Sequence, residues 1–204
     1  KWAIREACEQ LQHWRRAGHK DLRVSVNVSP QQLGESGLTQ TVESAISQCG
    51  LPPNALELEL TEQVVMAEQR QVNECLVELE RLGVRLAVDD FGTGYASLAY
   101  LQRLRVDTLK IDQSFVHNVD TDERAHRLLA AIVSMGRQLE LDVMVEGVET
   151  AAQLGAIRGT GAQAAQGYLL GRPLPPELAD FELAQANAAE RRPAIELATE
   201  GSTQ

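Results

Sequence analysis

At 204 residues, the chain is long enough for one sizeable domain. Its 44% hydrophobic and 24% charged residues are ordinary for a soluble globular protein, and no apolar stretch approaches the ~20 residues of a membrane span. The net charge of −10 argues against a surface that coats nucleic acid, although bound metal ions can reverse the charge locally for a small phosphate ligand. Three widely spaced cysteines in helical patterns indicate buried residues in a reducing compartment.

The pattern of apolar residues predicts helices alternating with strands along the chain. The predicted helices lie near 2–17, 38–49, 72–82, 95–104, 121–139, 150–158 and 177–188. The seven predicted strands lie near 22–28, 56–60, 84–89, 106–111, 141–145, 162–165 and 167–170. This alternation predicts parallel strands covered by helices. Residues 1–188 are assigned to one domain and the polar, aperiodic residues 189–204 to a flexible tail.

Several strands are apolar at every second position and carry a polar residue at the other parity just before the loop. These polar residues are Asn27, Glu59, Asp89, Lys110 and Glu146. In a (β/α)8 barrel, the apolar parity faces the helices and the polar side chains converge at the C-terminal mouth. An open doubly wound sheet is the alternative, but it places ligand groups on fewer loops. We therefore predict an α/β fold, a TIM-like (β/α)8 barrel with about seven of its eight strands in this chain.

Residues 88–94, with the sequence VDDFGTG, place two adjacent carboxylates where a buried strand ends. Adjacent carboxylates are costly unless cations neutralise them, which favours a divalent-metal site. A structural alternative is that Asp90 starts a turn and Asp89 caps the next helix. The pair alone is a weak signal.

Structural roles are also open for the other polar residues. Asn27 could start a turn, Glu57 and Glu59 could form a solvated strand face, and Lys110 could extend to solvent. Glu146 and Glu149 could belong to the acidic first turn of a helix. Taken together, carboxylates and an amide beside a single buried lysine favour magnesium or manganese and metal-assisted hydrolysis of a phosphate ester.

Six motifs occur in order along the chain: NVS at 27–29, ELTE at 59–62, DDFGTG at 89–94, KID at 110–112, EGVET at 146–150 and QGYLLGRP at 166–173. They resemble the motifs of the EAL-domain family, the bacterial phosphodiesterases and receptors for cyclic di-GMP. The resemblance implies two bound Mg²⁺ or Mn²⁺ ions, bridged by Asp89, with Ca²⁺ as an inhibitor. The implied metal ligands are Asn27, Glu59, Asp89, Asp90 and Glu146.

The resemblance also implies roles for residues beyond the metal ligands. Lys110 corresponds to the lysine that engages the hydrolytic water, and Glu149 and Gln166 to further site residues. Glu62 corresponds to the glutamate that holds the 89–94 loop in place. The implied reaction opens cyclic di-GMP to linear pGpG, by attack on one phosphorus of a water held between two cations.

The family's Glu-x-Leu motif, which lies on its first barrel strand, is absent from the predicted strands of this sequence and would precede Lys1. The chain is therefore expected to be a piece of a longer protein, with its first strand upstream, supplied by another chain, or missing. The missing glutamate leaves a non-catalytic cyclic di-GMP receptor as the alternative to the phosphodiesterase. An unrelated barrel hydrolase with the same metal chemistry is a third, remote reading.

The expected partners also follow from the resemblance. A homodimer through the barrel, near the 89–94 loop, is expected, together with an upstream sensory or cyclase domain in the parent protein. No nucleic-acid polymer is expected as a partner, and no membrane segment within this chain. The expected location is the cytoplasm, either free or as the cytoplasmic part of a membrane-anchored parent protein.

Overall fold

The computed structural model describes residues 1–62, 64, 70–94 and 105–190, with side chains described as far as residue 184. The helix predicted near 95–104 and most of the tail predicted from 189 lie outside the described residues. The chain divides between Arg172 and Pro173 into two units. The second unit contains one described helix, Pro176–Glu190, which includes the helix predicted near 177–188.

Six parallel strands pair in sequence order within the first unit. They are β1 (Val24–Asn27), β2 (Leu56–Thr61), β3 (Arg85–Phe91), β4 (Thr108–Ile111), β5 (Asp142–Val145) and β6 (Ala164–Ala165). The described helices of this unit are α1 (Trp2–Arg16), α2 (Pro30–Gly34), α3 (Leu38–Cys49), α4 (Arg70–Leu82), α5 (Glu123–Gln138) and α6 (Ala151–Arg158). Parallel strands in sequence order, with helices in each connection that is fully described, are the arrangement of a partial (β/α)8 barrel, as predicted.

One predicted strand is wrong. Residues 168–170 form turns instead of a strand. The amides of Leu170 and Gly171 both donate to the carbonyl of Gly167, at 3.0 and 3.1 Å, so the backbone folds back on itself. Gly167 also packs so closely against the backbone of Val148 that no Cβ would fit there. The apolar run that suggested a strand is therefore an exposed turn.

The short helix α2 is not among the helices that the apolar pattern predicts. Ser29 caps this helix, since its hydroxyl accepts from the amide of Gln32 while the Gln32 side chain accepts from the amide of Ser29. Proline is well suited to the first turn of a helix, where its missing N–H costs nothing. The reciprocal Ser and Gln contacts form a capping box, which was the missed signal.

The apolar parity of the strands packs against the helices, as expected. The leucines of β2, Leu56, Leu58 and Leu60, are fully buried in the main hydrophobic cluster with residues of α1, α3 and α4. A smaller cluster joins α5 and α6 to β4 and β5. The main core therefore lies between the sheet and its helices, which leaves the opposite face of the sheet for polar side chains.

A close helix–sheet contact occurs at Gly136 of α5. A Cβ there would lie 2.6 Å from Val143 Cγ2 and 3.2 Å from Leu109 Cδ2. We expect Gly136→Ala to lower the free energy of unfolding by about 1–3 kcal/mol, because overpacking outweighs the better helix propensity of alanine. Gly155→Ala is the control, since a Cβ at Gly155 of α6 meets nothing within 4 Å and should stabilise instead. Urea unfolding measures the free energy of unfolding of both variants. Equal stabilisation by the two substitutions would contradict the close contact at Gly136.

A polar cluster crosses the inner face of the sheet near the beginnings of its strands; we call it the amino-end cluster. It consists of Ser25, Glu57, Arg85, Thr108 and Asp142, from five neighbouring strands. Arg85 contacts Glu57 at 3.1 Å, Thr108 at 2.9 Å and Asp142 at 2.7 Å. Glu57 also accepts from Ser25 and Thr108, and is only 6% exposed. Glu57 is therefore buried and paired, not part of a solvated strand face.

A search of the described residues for a helix both long and apolar enough to cross a membrane finds none.

Candidate metal and substrate site

The polar parity of four neighbouring strands meets at the carboxyl ends of the sheet. Glu59, Asp89 and Lys110 lie on β2, β3 and β4, and Glu146 directly follows β5. The register pairs Thr61 with Asp89, and Lys110 with Met144. Because the strands are parallel, these side chains reach the same edge of the sheet.

Lys110 lies at the centre of this group. Its Nζ is 2.9 Å from Glu59 Oε1, 3.0 Å from Asp89 Oδ1 and 2.7 Å from Glu146 Oε1. Lys110 is only 4% exposed, and burial alone would lower its pKa. The carboxylates of Glu146 and Glu59 more than offset this effect, so the pKa of Lys110 is raised and the ammonium stays charged.

Asp89, Asp90 and Glu146 form a carboxylate cluster in which one oxygen from each lies within 4.8 Å of the others. Burial and the neighbouring Asp89 raise the pKa of Asp90. Burial also raises the pKa of Glu146, although Lys110 acts in the opposite direction. Asp89 Oδ1 is buried, and the polar group that contacts it is the Lys110 ammonium, at 3.0 Å. Close carboxylates with raised pKa values are the environment that a divalent cation relieves.

The 89–94 loop has a tightly fixed backbone. Asp90 adopts a φ of +55° and Gly92 a φ of +99°. A side chain at Gly92 would collide with the ring of Phe115. The hydroxyl of Thr93 donates to the Asp90 carbonyl at 2.9 Å. This turn fixes the backbone around Asp90, the second-last residue of β3.

Glu62 lies against the same loop, one residue beyond β2. Its Oε2 accepts from the amide of Gly92 at 2.9 Å and from that of Gly94 at 3.3 Å. Glu62 is only 3% exposed, and its Oε1 has no hydrogen-bond partner among the described residues. A Cβ at Gly94 would come within 2.6 Å of that oxygen. Glu62 thus binds the glycine amides of the loop, and its role in the reaction stays a prediction.

A cleft of about 290 Å³ opens beside the carboxylate cluster. Four of its lining residues, Asp90, Glu146, Glu149 and Gln166, belong to the predicted site. Asn27 is exposed at the end of β1, where the register pairs it with Glu59. The structure therefore brings most of the predicted residues together in two groups, one around Lys110 and one around the cleft. Asn27, at the end of β1, and Glu62, against the 89–94 loop, belong to neither group.

Sequence reasoning did not single out three further residues of the cleft, Asp112, Gln113 and Tyr168. Tyr168 is 56% exposed, and the guanidinium carbon of Arg172 lies 4.5 Å from the centre of its ring. Asp112 and Tyr168 lie within the KID and QGYLLGRP motifs, so their position in those motifs was the available signal.

The family model described as the EAL domain matches residues 1–173. Among curated relatives, the chain is 45% identical over 174 residues to "Cyclic di-GMP phosphodiesterase NbdA" of Pseudomonas aeruginosa, covering 85% of this chain and 22% of NbdA. It is 41% identical over 177 residues to "Bifunctional diguanylate cyclase/cyclic di-GMP phosphodiesterase MucR" of the same species, covering 87% of this chain and 26% of MucR. The chain thus spans about a quarter of the length of these relatives.

Solved structures with the same fold include "PaMucR Phosphodiesterase, c-di-GMP complex", with a TM-score of 0.82 and 40% identity, covering 87% of this chain and 72% of that one. The EAL domain of Mycobacterium smegmatis DcpA matches with a TM-score of 0.84 and 35% identity, covering 90% of this chain and 83% of that one. These matches confirm the predicted TIM-like fold. Together with the family match over residues 1–173, they show that the chain belongs to the EAL-domain family.

Proposed function

We propose that this chain catalyses the metal-dependent hydrolysis of cyclic di-GMP to linear pGpG. The observation that carries the proposal is the cluster of Asp89, Asp90 and Glu146, with Lys110 in direct contact with two of its members. This combination provides oxygen ligands for hard cations and a fixed positive charge beside them. The names of NbdA and MucR, and the ligand in the PaMucR structure, support cyclic di-GMP as the substrate.

The donor set fits Mg²⁺ or Mn²⁺, which prefer carboxylate and amide oxygens. We propose a two-metal site whose ligands are Asn27, Glu59, Asp89, Asp90 and Glu146. When bound, two such cations supply Lewis-acid activation of a water and neutralise negative charge on the phosphate. Ca²⁺ has the same ligand preference but takes longer, more flexible coordination, so we expect it to bind and to inhibit.

The chain's own residues have distinct tasks in this proposal. The Lys110 ammonium donates to the attacking water and favours its deprotonated form. Glu149 and Gln166, which line the cleft, contact the nucleotide. Glu62 keeps the 89–94 loop, and with it Asp89 and Asp90, in position.

The test is to incubate the 204-residue chain with cyclic di-GMP and Mg²⁺ or Mn²⁺ and to separate the products by chromatography. We expect pGpG to form, and EDTA to abolish its formation. A parallel titration in Ca²⁺ measures binding without turnover. Binding in Ca²⁺ with no pGpG under any metal would support the alternative of a cyclic di-GMP receptor. If the chain neither bound nor hydrolysed cyclic di-GMP, that result would contradict both functions for this chain.

We further propose that the chain acts in the cytoplasm, as one domain of a longer protein with a sensory or cyclase region. Its much longer relatives support this proposal, because this chain matches only about a quarter of each.

We also propose that residues 1–188 form the barrel domain and that this domain pairs as a homodimer. Light scattering after size-exclusion chromatography tests the dimer, and a mass of one chain would contradict it.

A further inference from the structure

We propose that Lys110 is the counter-ion of the metal-free site, and that divalent cations compete with its ammonium for the same carboxylate oxygens. The inference rests on the proposed metal site and adds a second task for this lysine. Lys110 would hold the carboxylates together before metal binds, and it would reduce the affinity for the metal that replaces it.

The Lys110 Nζ lies within 2.7–3.0 Å of oxygens from Glu59, Asp89 and Glu146. Two of these residues, Asp89 and Glu146, also belong to the carboxylate cluster that could hold a metal. A Mg²⁺ or Ca²⁺ ion needs its oxygens at roughly 2.0–2.6 Å. An ion at the point between these oxygens would therefore collide with the ammonium, so the ammonium must withdraw when that point is filled.

Three buried or half-buried carboxylates surround one ammonium, and Asp90 adds a fourth negative charge nearby. Without the ammonium, the metal-free carboxylates would repel one another in a poorly hydrated site, which destabilises the fold. With a metal bound, the ammonium becomes a like charge next to the cation. The same side chain therefore stabilises the metal-free protein and opposes metal binding.

Arg85, on β3, offers a matched control for Lys110, on the neighbouring strand β4. It is also an inner-face cation paired with carboxylates, those of Glu57 and Asp142. However, it belongs to the amino-end cluster, and position 85 lies about 13 Å along β3 from position 89. Removing either cation leaves carboxylates without their partner, but only Lys110 contacts oxygens of the carboxylate cluster.

The experiment compares Lys110→Met and Arg85→Met with the unchanged chain, using calorimetric titration with Mn²⁺ and urea unfolding in EDTA. We expect Lys110→Met to bind Mn²⁺ at least about tenfold more tightly, a difference of about 1.4 kcal/mol. Its unfolding midpoint in EDTA should fall and should recover when Mn²⁺ is added. Arg85→Met should also unfold at lower urea, but its Mn²⁺ affinity should stay within about twofold of the unchanged chain.

Equal or weaker Mn²⁺ binding by Lys110→Met, while the unchanged chain binds, would overturn the competition and leave the metal site standing. Absence of Mn²⁺ binding in all three proteins would overturn the proposed metal site itself. If Lys110→Met folds only with metal, titrating the loaded protein with a chelator gives the same comparison of affinities. Lys110→Arg, which keeps the charge, should show no gain in Mn²⁺ affinity, and a gain equal to that of Lys110→Met would also contradict the inference.

Discussion

Replacing Asp89 by asparagine is expected to reduce metal-dependent hydrolysis of cyclic di-GMP by about three orders of magnitude, or about 4 kcal/mol of transition-state stabilisation. The substitution keeps the shape of the side chain but removes the charge that contacts Lys110 and that belongs to the carboxylate cluster. The predicted bridge between two cations would lose its charge, and both would bind more weakly. The rate of pGpG formation at saturating Mn²⁺ and substrate measures the effect.

The control for Asp89→Asn is Asp142→Asn, which makes the same chemical change on a neighbouring strand. Asp142 contacts Arg85 in the amino-end cluster, at the opposite end of the strands from Glu146. We expect the turnover of Asp142→Asn to stay within about twofold of the unchanged chain, because its partner Arg85 lies about 13 Å along β3 from Asp89. Full activity in Asp89→Asn would show that Asp89 is not a metal ligand. Equal losses in both variants would show that the sheet, and not the site, was damaged.

Replacing Glu62 by alanine is expected to reduce turnover by about 100-fold and the free energy of unfolding by about 2–4 kcal/mol. The stability loss follows because the amides of Gly92 and Gly94 would both lose their buried carboxylate acceptor. The activity loss follows because Asp89 and Asp90 begin the same loop, and small displacements of reacting groups are costly. Steady-state kinetics and urea unfolding on one preparation measure both effects.

Glu62→Gln is the matched variant for this second prediction, because its amide oxygen can still accept from the two glycine amides. We expect it to retain the free energy of unfolding to within about 1 kcal/mol and to keep most of the turnover. If Glu62→Ala were destabilised but turned over substrate at the original rate, the loop would not depend on Glu62 for its catalytic geometry. If Glu62→Gln lost as much turnover as alanine, the charge of Glu62, not its hydrogen bonds, would matter.

The sequence predicts the fold well because the strands alternate with a period of two. Glu59, for example, stands between buried leucines, which orients it away from the helices and toward Lys110. The same pattern could not show that Lys110 contacts three carboxylates from three strands, since that depends on the register between them. It also could not show the partners of Glu57 and Glu59, which have the same parity. Glu57 contacts Arg85 in the amino-end cluster, whereas Glu59 contacts Lys110.

Local chemistry explains the errors in the fold. At Gly167 the apolar residues that follow resemble a strand, but the contact of this glycine with the Val148 backbone requires a turn. At Ser29 a capping box starts a short helix that hydrophobic periodicity cannot reveal in five residues. Tyr168 was missed for a related reason, because an exposed aromatic residue in a turn has no periodic signature.

The division between an apolar layer outside the sheet and charged clusters inside it has a consequence for mutational tolerance. A lost carboxylate near Lys110 would relieve repulsion and leave the buried leucines of the main core untouched, so turnover could disappear while the folded chain persists. A lost lysine would instead leave several acidic groups facing one another. Selection acting on this chain should therefore accept changes at Glu59 or Asp89 more readily than at Lys110 once hydrolysis is no longer required. Descendant proteins with such changes would keep the shape of the cleft but would no longer hydrolyse the substrate.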